Sequence, residues 1–275
     1  MNKLAITSIG ATFLSLIVAV SSNSTAIAVN TPNDMSTKPI GATYVETAKG
    51  VNMTMVYVEG GTFQMGVTPE QGSDIWDSTK PVHSVTLDSY YVGECEVTQA
   101  QWRAIMGNNP SKFTGDDNPV EMVNWEDAQA FCRELSRVSG KTYVLPTEAQ
   151  WEYAARGGKK NQGCKYSGSS EMSDVAWYWN NSNKQTHPVK QKQPNELGLY
   201  DMSGNVWEWC SDWYGANYYS SGPNSNPTGP SSGRYRVVRG GGWNDFAGSC
   251  RVSHRDFYTP SYRFGYYGFR VVCLP

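Results

Sequence analysis

Apolar positions follow two periods along this chain, and stretches with neither period separate them. Met55-Val56-Tyr57-Val58 is an unbroken apolar run, Glu59-Gly60-Gly61 supplies a turn, and Thr62 to Met65 alternates; together they predict a hairpin. His83 to Leu87 and Tyr90 to Val92 predict further strands, as do Arg234 to Arg239 and Phe269 to Cys273. Three helices begin at capping signals. Thr98-Gln99-Ala100-Gln101 is a capping box ahead of WRAIM, stopped by Gly107-Asn108-Asn109-Pro110. Asn124 precedes Trp125-Glu126-Asp127, with Ala128, Phe131, Leu135 and Val138 forming one stripe up to Gly140. Thr147-Glu148-Ala149-Gln150 is a second box, with Trp151, Ala154 and Ala155 inward and Gly157-Gly158 beyond the end. The region from Gly157 to Arg234 is long, irregular and rich in Gly, Asn, Ser and Pro. Neither strand–helix alternation nor an internal repeat appears, so the expected class is α+β, one loop-rich domain.

The first residues are not part of that domain. Lys3, the apolar stretch LAITSIGATFLSLIVAV and the small residues Ala26-Ile27-Ala28 predict a signal peptide over 1–28, hence export to the periplasm, the cell surface or the medium. The apolar run is short and interrupted by Thr, Ser and Gly, unlike a membrane span. Residues 29–50 are expected to be a flexible linker and 51–275 the folded domain. A net charge of −2 gives no electrostatic reason for a nucleic-acid partner. The six cysteines have neither CxxC nor zinc spacing, and their pairing stays open. Ten Trp and 17 Tyr point to a core that leans on aromatic rings.

Candidate chemistry is sparse. Three histidines leave little room for a histidine-based metal site or a Ser-His-Asp triad, and neither HExxH nor GxSxG occurs. Gly240-Gly241-Gly242 follows a strand with no helix after it, so these glycines are expected to allow close packing rather than to cradle phosphate. Asn205 and Glu208 are candidate oxygen ligands for a structural Ca2+, with carbonyls completing the shell. The alternative is a tight turn held by Asn205 and an Arg paired with Glu208.

Six motifs carry a resemblance: GGTFQMG (60–66), EVTQAQW (96–102), LPTEAQWEYAARGG (145–158), GLYDMSGNVWEWCSDWYG (198–215), RVVRGGGW (236–243) and GFRVV (268–272). In this order the chain resembles the formylglycine-generating-enzyme/sulfatase-modifying-factor family, which implies a variant of the C-type lectin fold. The enzymes of that family hold copper(I) with two cysteines a few residues apart; soft thiolates suit that ion. After Trp243 this chain reads NDFAGSCRVSHRD, with Cys250 alone and Asp245 about where the first cysteine is expected. The resemblance therefore does not extend to the oxidase chemistry, and a formylglycine-generating-like oxidoreductase or accessory factor is the alternative reading.

The ending also resembles the variable proteins of diversity-generating retroelements, of the treponemal surface type. There a constant frame alternates with positions diversified through adenines of Asn codons. The resemblance assigns Trp243, Ala247, Cys250-Arg251-Val252, Arg255, Pro260, Arg263 and Gly268-Phe269-Arg270 to the frame. It assigns Asp245, Phe246, Ser249, His254, Asp256, Phe257, Tyr258, Tyr262, Phe264, Gly265 and Tyr266 to a ligand-binding variable set within 243–270. The genetic code offers an independent check. Asn codons randomised at adenine never give Lys, Glu, Gln, Met or Trp, and none of these occurs from Asn244 to Tyr267. Tyr and Phe mixed with Ser, Gly, Asp and His is also the composition of a paratope. The expected function is binding, not catalysis, with a protein or other macromolecule on a host or neighbouring cell as the ligand.

Overall fold

A computed structural model describes residues 38–72 and 77–275. The expected signal peptide and the first part of the expected linker lie outside the described residues. The rest of that linker is structured. Strand β1 (Thr43–Ala48) pairs antiparallel with β2 (Val51–Val58), so the fold begins before residue 51. The sequence concealed β1 because this edge strand buries Glu46 and Ala48, not a row of large apolar side chains. Glu46 is satisfied there by the Tyr143 hydroxyl at 2.8 Å and by Lys141 at 2.5 Å.

The hairpin partner of β3 (Gly61–Met65) is β4 (His83–Leu87), and β2 instead joins β5 (Tyr90–Gly93). Three helices follow at the expected capping signals: α1 (Gln99–Met106), α2 (Trp125–Ser139) and α3 (Glu148–Ala155), with β6 (Thr142–Val144) between the last two. Each cap closes reciprocally, through Thr98, Asn124 and Thr147, satisfying amides that a bare helix end leaves open. The stripe on α2 is buried as expected through Ala128, Phe131 and Leu135.

The second half of the chain contains β7 (Trp207–Trp213), β8 (Arg236–Arg239), β9 (Arg255–Tyr258), β10 (Tyr267–Gly268) and β11 (Val272–Leu274). Two larger sheets result. One has the order β1-β2-β5-β11-β6; the other has the order β10-β7-β8-β9, with β10 parallel to β7. Both faces of the first sheet are covered, which explains the unbroken apolar run in β2. Met55 and Tyr57 pack in the cluster that holds Phe131 and Leu135 of α2, while Val56 and Val58 pack in the one that holds Trp151 and Ala154 of α3. Strand β7 escaped the sequence reading for the same reason. Trp207 to Cys210 are buried on both faces and leave no alternation to detect.

Helix α3 also buries charge. Glu148 accepts from Arg239 Nη1 at 3.0 Å and from Arg255 Nε at 2.7 Å, and Glu152 accepts from Arg239 and Arg156. Close by, Asp212 accepts the Glu148 amide at 2.9 Å, and burial together with the Glu148 charge raises its pKa from 3.8 to about 7. A carboxyl whose folded pKa is raised contributes stability fully below its unfolded pKa and loses it as pH rises through the folded value. Asp212→Asn keeps the acceptor without the charge, so it is expected to flatten the fall in stability between about pH 4 and 7. Urea midpoints across that range check this; an unchanged slope would show that Asp212 ionises freely.

Candidate functional site

The segment that follows β8 is built on close packing. Gly241 has φ +74°, and a Cβ there would lie 2.5 Å from Cys250 Sγ, so only glycine lets the turn at 247–250 sit against 240–242. Trp243 is fixed at both ends of its residue, its amide donating to Asn205 O (2.8 Å) and its indole N–H to Gly265 O (2.7 Å). Arg251 donates to Gly248 O and Gln71 O, Arg255 to Glu148, and Arg270 to both Glu208 oxygens at 2.7 Å. Arg263 reaches Asp127 on α2 at 2.8 Å. The frame arginines are thus tied to fixed elements around the segment.

Of the expected variable residues all but His254 are half-buried or exposed, and their rings fall into three groups. Tyr258, Tyr262, Phe264 and Tyr266 form one aromatic array around the buried ring of Tyr267. Phe264 and Tyr266 stack at 5.1 Å, Tyr262 lies 5.7 Å from Phe264, and Tyr258 lies 6.1 Å from both Tyr262 and Phe264. Trp243, 6.5 Å from Tyr266, extends the array to Phe113. Phe257 does not belong to it. Side chains alternate along β9, so Phe257 faces the other way, stacked on Tyr214 at 3.9 Å and near Tyr235 at 5.1 Å. Phe246, 67% exposed, sits 5.9 Å from Trp179, with Ser249 on the same short turn.

Asp245 and Asp256 make the polar part. Asp245 accepts from the Trp207 indole at 2.7 Å and from the Gly242 amide at 3.0 Å; Asp256 accepts the Phe257 amide at 2.7 Å. Burial pushes both carboxyls above the usual range, and the charge of Asp256 raises Asp245 further. His254 departs from the expectation of an exposed ligand-binding residue. It is 5% exposed, its ring 5.9 Å from that of Trp207, because it faces inward where β9 begins. Gly265 lies over Lys112, Phe113 and Glu121, all within 3.6 Å of where its Cβ would be. An open cleft of about 440 Å³ lies beside Phe113, lined also by Lys112, Gln185 and His187. Sequence reasoning missed Phe113 and Glu121, which share the loop between α1 and α2, and Trp179 and Tyr214 from two other loops, none with a local signal of its own.

Asn205 and Glu208 do not present free oxygens to a Ca2+ ion. The Asn205 amide oxygen accepts from the His187 N–H at 3.0 Å, and Glu208 is occupied by Arg270 and by the Trp151 indole at 2.8 Å. These contacts are those of the turn-and-ion-pair alternative, with Asn205 at φ +61°. A two-thiolate copper site does not fit either. Burial pushes the Cys250 thiol well up, away from the thiolate form, and the neighbouring charge is the Asp245 carboxylate. None of the six cysteines is disulfide-bonded.

A sheet that pairs early with late strands, two helices on one side, and long fixed loops carrying a surface site define a C-type lectin-like domain of the formylglycine-generating-enzyme subclass. The chain belongs to the sulfatase-modifying factor family, matching the sulfatase-modifying factor enzyme 1-like domain over residues 42–274. Among solved structures it is similar to Treponema denticola variable protein 1, with 35% identity, a TM-score of 0.77, and coverage of 86% of this chain and 100% of that one. It shares the fold of PvdO from Pseudomonas aeruginosa at 24% identity and a TM-score of 0.73, over 86% of this chain and 100% of that one. The chaperone protein LppX of Paenibacillus barcinonensis is 35% identical over 254 residues, 74% of this chain and 83% of that protein. The formylglycine-generating enzyme of Streptomyces coelicolor is 40% identical over 192 residues, 63% of this chain; the match spans 58% of the enzyme's length.

Proposed function

We propose that this is an exported ligand-binding protein without oxidase activity, whose segment 243–270 is a diversified binding site like that of a retroelement variable protein. One observation carries the reading. The frame arginines are held by fixed partners, while the expected variable positions, His254 apart, are half-buried or exposed and all belong to the set an adenine-randomised Asn codon encodes. The similarity to the Treponema denticola variable protein supports it. So does the exchange of a copper-type thiol for Asp245. The ligand would be a macromolecule on a host or neighbouring cell, bound through a few aromatic hot spots worth about 2 kcal/mol each. Among the described residues no helix is long and apolar enough to cross a membrane.

Two displayed libraries test this. In one, Asp245, Phe246, Ser249, Tyr258, Tyr262, Phe264 and Tyr266 are randomised over the Asn-codon set; in the other, Trp243, Arg255, Gly268 and Arg270 are. Most clones of the first are expected to stay protease-resistant, and nearly all of the second to be degraded. Equal losses in both would sink the proposal, as would tight copper(I) binding with oxygen uptake by the purified chain.

A further inference from the structure

Asp245, held by the Trp207 indole, and Asp256, two residues before Tyr258 on the same face of β9, are half-buried, and neither forms an ion pair among the described residues. The neighbouring arginines are committed elsewhere. Arg255 and Arg239 bind Glu148 on the opposite face of β9 and β8. Arg236 lies between the rings of Trp125 (3.7 Å) and Trp213 (3.5 Å) and donates to Ser211 O, and Arg263 is held by Asp127. A third acid backs the array. Glu121 is fully buried, accepts the Phe113 amide with one oxygen, and brings the other to the gap left by Gly265. The Lys112 amide and ammonium both offset part of this charge, without an ion pair among the described residues.

Carboxylates held partly out of water without a counter-ion are costly, and rings beside them present negative faces. An apolar ligand would bury the acids further without compensating them, and an acidic one would be repelled. A cation gains from both features at once. We propose that the surface takes an arginine or lysine side chain of a protein partner, its charge seated between the carboxylates of Asp245 and Asp256 and the rings of Tyr258 and Tyr266. This rests on the reading of 243–270 as a binding segment and names the chemistry that segment selects in this chain.

The test is a titration of the 1H–15N indole signal of Trp207, which donates to Asp245. The probe is the blocked peptide acetyl-Gly-Arg-Gly-amide, and the control is its citrulline counterpart, nearly isosteric and uncharged. Saturable shifts with arginine, at least about tenfold weaker with citrulline and in Asp245→Asn/Asp256→Asn, are expected. Asn keeps every acceptor that the two acids use in the fold, and an unchanged urea midpoint of the double variant shows that the site is intact. Absence of saturation, equal binding of citrulline, or undiminished binding by the folded double variant would each overturn the proposal. Failure here with the two libraries still behaving as expected removes the cationic ligand and leaves the diversified site standing; failure of the libraries removes the site itself.

Discussion

Glu148→Ala is expected to cost about 3–5 kcal/mol of stability, enough to leave a large share of molecules unfolded at physiological temperature. Glu148 is 2% exposed and serves two arginines that are themselves buried. Arg239 would retain Glu152, but Arg255 would keep no carboxylate, only the carbonyls of Ser78 at 3.0 Å and Gly215 at 3.5 Å and the ring faces of Tyr214 and Tyr219. A guanidinium without its carboxylate in this setting carries its full desolvation cost. The urea midpoint of Glu148→Ala against the parent chain measures the effect. Glu148→Met/Arg255→Met should recover much of the loss, because removing both charges costs far less than removing one. A single variant within about 1 kcal/mol of the parent would mean the pair is solvated in solution.

Gly241→Ala is the second large effect, at about 2–4 kcal/mol. Roughly 1 kcal/mol comes from the left-handed backbone and the rest from overpacking. The added methyl would meet Cys250 Sγ at 2.5 Å and the Ser249 carbonyl at 3.1 Å. Cys250→Ala in the same chain should return part of the loss by removing the sulfur, while the backbone strain remains. If the two substitutions are simply additive, the contact between the turn and Cys250 is not what constrains this corner.

The helices were legible because capping is local chemistry. Thr98, Asn124 and Thr147 each announce a helix within four residues, and the structure closes all three boxes. Strands were legible only where burial is one-sided or where turn residues flank an apolar run, as in β2 and β3. β7 buries both faces, β1 buries a carboxylate, and β10 is two residues long, so no period identifies them. Within the candidate site, residue types could be read from the chain, but directions could not. Phe257 and Tyr258 are adjacent letters that point to opposite faces of one strand, and His254 resembles its neighbours in type while lying inside. Glu121 and Phe113 belong to the site only through the path of a distant loop.

Strand β11 lies between β5 and β6, so an interior strand of the larger sheet comes after residues 243–270. That sheet cannot be completed until the whole segment has been synthesised and has found its place. A side chain in 243–270 that obstructs the path of the segment leaves the gap between β5 and β6 unfilled, with two strand edges open to proteolysis or aggregation. The order of the strands thus acts as an inspection step: the larger sheet closes only behind a segment that has folded into place.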